Sequence, residues 1–214
     1  MNIKASVYDL LAYIIPGGFL LLTTLYALNI FGVLRIDILS LAPTTAQLVV
    51  VIGFSYIIGW LFRPIGRYWS RLFKPKRDAE SALIEFKKIH PSTHVNFEAA
   101  DSNILFAHIK RQNKDIASDI EGLNASSLML RHISVGLIIL AVVEIANFSV
   151  TLSPQHLFFG LVSVVFSILA GKESNQFAQW YFHAIFENIV AQALQLPDPV
   201  ESVKESKQVK SKQK

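Results

Sequence analysis

The sequence predicts an all-α integral membrane protein. Four transmembrane helices are expected, with a cytoplasmic helical hairpin after the second and an amphipathic helix after the fourth. Three observations predict this. Val7 to Leu34 is a run of twenty-eight residues with one charge, Asp9, and a bilayer crossing needs about 20 apolar residues. Three more apolar runs follow, over 45–62, 133–151 and 156–171. Charged residues are 17% of the chain, against about 25% in a soluble domain, and they cluster beside the apolar runs.

The first run has only Lys4 before it, and it is about twice as long as the 7–15 residues of a signal-peptide core. It therefore reads as a retained span. Pro16, Gly17 and Gly18 interrupt it. This triplet is expected to kink the helix or break it into halves. Freed carbonyls at such a break can line an ion or substrate path, or neighbouring helices can satisfy them. In the second run Ser55 and Gly59 are four residues apart, and in the fourth Ser163, Ser167 and Gly171 repeat the spacing. Small residues at that interval let helix backbones approach closely.

The connection 63–132 holds twelve of the twenty Lys and Arg residues, and the short connections on the other side hold almost none. The positive-inside rule then places this segment and both termini in the cytoplasm. Segments 1–62 and 133–171 are the two membrane parts. In 63–132, Arg63 to Lys76 mixes basic residues with Tyr68, Trp69, Leu72 and Phe73, a composition suited to the headgroup zone. A helix is expected from Asp78, a plausible N-cap, to Ile89, before Pro91. A second starts near Ser102 and continues into the third span, with a break at Gly122. After the fourth span, 172–196 is expected to be an amphipathic helix, with Phe177, Tyr181, Ile185 and Ile189 on one side and Gln176, Gln179, His183 and Glu187 on the other. The tail 197–214 lacks apolar periodicity and reads as disordered.

Several residues could carry chemistry. If Gly17 packs near Gly59 in antiparallel helices, Asp9 falls about 12 Å toward the cytoplasm, beside Arg63 and Arg67 at about 6 and 12 Å. An interfacial charge pair is expected there, against the alternative of a hydrated Asp9. Glu144 lies well inside the third span with Asn147 one turn away. Intramembrane carboxylates are costly and by default mark function. Two readings stay open: a group lining a pore, and a polar contact between helices. Asn29, Asn147 and His156 are its candidate partners.

No catalytic residue is assigned. There is no cysteine, and His90 and His94 are separated by Pro91 without a third ligand, so no metal or other cofactor is expected. Phosphate-binding, zinc-protease, nucleophile-elbow and dinucleotide motifs are absent. The basic stretch could meet nucleic acid, but lipid attraction and topology already account for it.

Asp9-Leu-Leu-Ala-Tyr13-Ile-Ile-Pro16-Gly17 resembles the first helix of small multi-span bacterial membrane proteins. The layout resembles accessory membrane proteins of type VI-B CRISPR loci and membrane effectors of other phage-defence systems. The resemblance implies a membrane protein that modulates an immune response, by assembling a pore. One branch of those accessory proteins carries an Arg-x4-6-His nuclease-like motif, and no arginine here has a histidine at that spacing. The leading expectation is an oligomeric pore or membrane modulator in the bilayer. The alternatives are a non-conducting scaffold that binds a cytosolic protein through residues 78–128, and a small-solute transporter.

Overall fold

The computed structural model describes residues 7–34, 44–72, 78–91 and 97–193, with the side chains of Asp9 and Ala193 outside that description. Helices are α1 (Val7–Ile30), α2 (Thr45–Leu61), α3 (Arg63–Ser70), α4 (Ala79–Ile89), α5 (Ser102–Gln112), α6 (Lys114–Thr151) and α7 (Pro154–Ala193). A 3-10 turn, Ala99–Asp101, precedes α5, and no strand occurs among the described residues. The protein is all-α, as the sequence predicts. The expected tail 197–214 and the end of the amphipathic helix lie outside the described residues.

α1, α6 and α7 are each long and apolar enough to cross a bilayer, and α2 with α3 makes a fourth such unit bent by 45°. This is the architecture of a multi-pass membrane protein. The bend falls at Phe62, just before Pro64 in the first turn of α3. Proline cannot donate to the carbonyl four residues back, and its ring crowds that carbonyl. α6 has 38 residues and α7 has 40, so they run about 57 and 60 Å at 1.5 Å per residue. The hydrocarbon layer is about 30 Å thick, so part of each helix must leave it. The spans 133–151 and 156–171 are segments of these longer helices.

The break into halves at Pro16 and the break at Gly122 are both absent. α1 runs unbroken through Pro16, Gly17 and Gly18, because a proline removes only one backbone bond and the flanking turns keep theirs. Gly122 lies inside α6, where an isolated glycine costs about 1 kcal/mol, too little to end a packed helix. The break comes earlier, at Asn113, whose side-chain oxygen accepts from the N–H groups of Asp115 and Ile116 at 3.0 and 3.2 Å. That cap starts α6.

The chain divides into two compact units, 1–77 with 121–178, and 78–120 with 179–214. In the first, α1 packs tightly on α2. A methyl group at Gly17 would overlap the Ser55 carbonyl, and one at Gly59 would overlap the Tyr13 carbonyl. Between helices in lipid there is little hydrophobic drive, so close backbone approach and polar contacts hold them. In keeping with this, the outer faces of α2 and α7 expose Val49, Phe54, Phe158 and Phe166, whereas Ser127, Ser134, Ser167 and Ser174 are buried.

The second unit is built like a water-soluble domain. Ala82, Leu83 and Phe86 of α4, Ile109 of α5, Ala117 and Ile120 of α6 and Ile185 and Phe186 of α7 form one buried cluster. α4 begins at Asp78, which accepts from the Ser81 N–H at 3.1 Å while Ser81 Oγ accepts from the Asp78 N–H at 2.9 Å. It ends at Ile89, ahead of Pro91. The expected hairpin is therefore more than two helices: the 179–193 stretch of α7 completes its core. Gln179 donates to Glu85, and His183 Nε2 lies 3.4 Å from the same carboxylate.

Candidate functional site

A two-residue turn, Leu152-Ser153, folds α7 back along α6. Leu152 takes the left-handed conformation, with φ 53°, and its N–H donates to the Phe148 carbonyl at 2.8 Å. A left-handed residue just past a helix end is the usual way to satisfy a terminal carbonyl. The turn sets the register of the whole hairpin. Gly160 falls against Ala141 and Glu144. Seven residues on, Ser134 and Ser167 each donate to the other's carbonyl, at 2.6 and 2.7 Å. Seven further, Ser127 and Ser174 do the same, both at 2.9 Å. A heptad of small residues thus zips α6 to α7. Trp69 of α3 joins it by donating Nε1–H to Ser134 Oγ at 2.8 Å.

Glu144 sits at the turn end of this zipper. It is 5% exposed. Tyr26 of α1 donates its hydroxyl to Oε1 at 2.7 Å, and His156 Nδ1 meets Oε2 at 2.7 Å. The Asn147 amide nitrogen lies 3.0 Å from His156 Nε2. One tautomer satisfies all three contacts: Nδ1–H donates to the carboxylate, and Nε2 accepts from Asn147. Three helices therefore meet at one carboxylate whose two oxygens are both occupied. His156 retains 26% side-chain exposure. Of the expected partners, His156 bonds Glu144 directly and Asn147 acts through His156. Asn29 is exposed and takes no part.

No family model, curated protein or solved structure matches this chain. Its residues must therefore supply the functional reading.

The other sequence-identified residues fall as follows. Pro16 and Gly17 are buried, and Gly18 faces the Ser55 hydroxyl, with a contact of 3.4 Å from a Cβ built there. Ser55 and Gly59 are the buried positions of α2. Ser163, Ser167 and Gly171 are buried on α7. Arg63 and Arg67 are exposed on α3. The pairing of Asp9 with either arginine lies outside the described residues. Among the described residues, no three His, Cys, Asp or Glu side chains gather to hold a metal ion.

Tyr26, Ser127, Ser134 and Ser174 are the participants that sequence reading missed. The seven-residue interval of Ser127–Ser134 and Ser167–Ser174 is a usable signal once the turn is located. Tyr26, in a leucine-rich helix, carries no such signal.

Proposed function

We propose that the chain is a multi-pass protein of the bacterial inner membrane, with both termini cytoplasmic. It acts as a non-conducting scaffold that holds a cytosolic protein through residues 78–128. One observation carries this reading: the unit containing α4 and α5 has its own closed core yet leaves Ile84 and Ile89 exposed, 64% and 58%. They line a shallow depression with Ser81, Glu85 and Lys88. Two exposed isoleucines beside Ser81, Glu85 and Lys88 offer a partner a small apolar contact with polar anchors around it. The bonded state of Glu144 supports the same reading, since a carboxylate engaged by Tyr26 and His156 is a helix contact first.

The test is a photo-crosslinking amino acid placed at Ile84 or Ile89 in the full chain, in native cells. A discrete protein adduct is expected at these positions and not at Val49 on α2. Lipid adducts alone would remove the scaffold.

A second reading is an oligomeric pore or membrane modulator serving phage defence. The partial exposure of His156 beside Glu144 favours it, because a polar pair open on one side suits a gated path. Depolarisation on expression separates it from the scaffold.

A further inference from the structure

α3 and α6 bring like charges together. Arg63 and Arg67 lie three residues before and one residue after Gly66 on α3. Gly66 is buried directly against α6. A Cβ built there would lie 2.9 Å from His132 Cδ2 and 3.3 Å from Arg131 Cγ. Both arginines of α3 act electrostatically on Arg131. Among the side chains described, no carboxylate pairs with Arg63, Arg67 or Arg131. Arg131 Nε is also buried and lacks a hydrogen-bond partner. Buried donors without acceptors cost free energy, and converging guanidinium groups repel one another.

The position of this cluster indicates what offsets those costs. Arg63 is the first charge after the apolar run of α2, and Arg131 is the last before the apolar run of α6. Both mark the level where hydrocarbon gives way to headgroups. Tyr68 and Trp69, one turn on, are the residue types enriched there. Guanidinium groups bind phosphate oxygens in a forked geometry that lysine cannot copy.

The geometry points to a binding site for the phosphate of an anionic membrane lipid, formed by Arg63, Arg67 and Arg131 across the α3–α6 seam. The lipid phosphate supplies the counter-charge that offsets the repulsion among the three guanidinium groups. Gly66 permits the two helices to approach closely enough for two arginines of α3 and one of α6 to share one anion. The site does not depend on the scaffold reading.

Thermal unfolding in a neutral detergent, followed by tryptophan fluorescence, tests this with titrated lipid. Phosphatidylglycerol should raise the unfolding temperature of the wild type saturably, and phosphatidylcholine should not. Loss of one charge-assisted contact should weaken apparent affinity roughly tenfold. Arg63→Gln and Arg67→Gln are exposed changes that leave the fold intact, and each should show that loss, as should Arg131→Gln. Lys87→Gln with Lys88→Gln, which removes two charges elsewhere, should not. Equal stabilisation of wild type and Arg63→Gln/Arg67→Gln by phosphatidylglycerol, or equal effects of both lipids, would overturn the site. Inorganic phosphate alone producing the full stabilisation would overturn the lipid as ligand, leaving free phosphate as its source.

Discussion

Removing the Tyr26 hydroxyl should loosen the membrane bundle by a measurable and coupled amount. The Tyr26–Glu144 bond is 2.7 Å long, and its acceptor belongs to a residue 5% exposed. A hydrogen bond to a charged group in a soluble protein contributes about 1.5–3 kcal/mol. Between membrane helices measured values average about 0.6 and reach about 1.7 kcal/mol, because the unfolded chain in lipid also finds partners. Glu144 is buried and doubly bonded, so Tyr26→Phe should cost about 1–2 kcal/mol. Glu144→Leu removes both bonds and leaves the Tyr26 hydroxyl and His156 Nδ1 without their acceptor, at about 2–4 kcal/mol. The double variant should cost less than the sum of the singles by about 1 kcal/mol. Equilibrium unfolding of purified protein in mixed micelles, read by tryptophan fluorescence, gives all three values. Additivity within about 0.3 kcal/mol would show that the hydroxyl and the carboxylate do not hold each other.

Other outcomes follow from the packing. Gly59→Leu should destabilise by about 3 kcal/mol or more, because any Cβ there meets the Tyr13 backbone. Gly53→Leu, with nothing within 4 Å, should change stability by less than about 0.5 kcal/mol in the same unfolding experiment. Ser134→Ala removes bonds to Ser167 and Trp69 and should cost about 1–2 kcal/mol, together with a change in Trp69 emission. Phe86→Ala, in the core of the second unit, should cost about 3–5 kcal/mol. Limited proteolysis between 78 and 120 should accelerate, whereas Ile84→Ala should leave the digestion pattern unchanged.

Much of the fold was legible because lipid imposes simple rules. The length and charge of Val7–Leu34 sufficed for α1, and Asp78 and Pro91 for the limits of α4. The spacing of Gly17, Ser55 and Gly59 anticipated the contact between α1 and α2, since only small residues permit it. Of the two outcomes expected at Pro16, a kink or a break into halves, the break is absent because continuity depends on the bonds of the flanking turns, which a single triplet does not decide. The completion of the second core by Ile185 and Phe186 could not be read locally, as their partners in α4 lie about a hundred positions away. The same distance hid Tyr26 from Glu144, 118 residues apart. His156 was nearer in reach, because the short uncharged connection at Ser153-Pro154 already implied that the fourth span folds back on the third.

Membrane potential in bacteria induced to express the protein tests the scaffold reading most directly. The wild type and Glu144→Gln would be compared at matched membrane levels with a voltage-sensitive dye. A carboxylate that serves to join helices leaves the potential unchanged in both. Depolarisation by the wild type that Glu144→Gln reduces would contradict the scaffold and make Glu144 part of a conducting path.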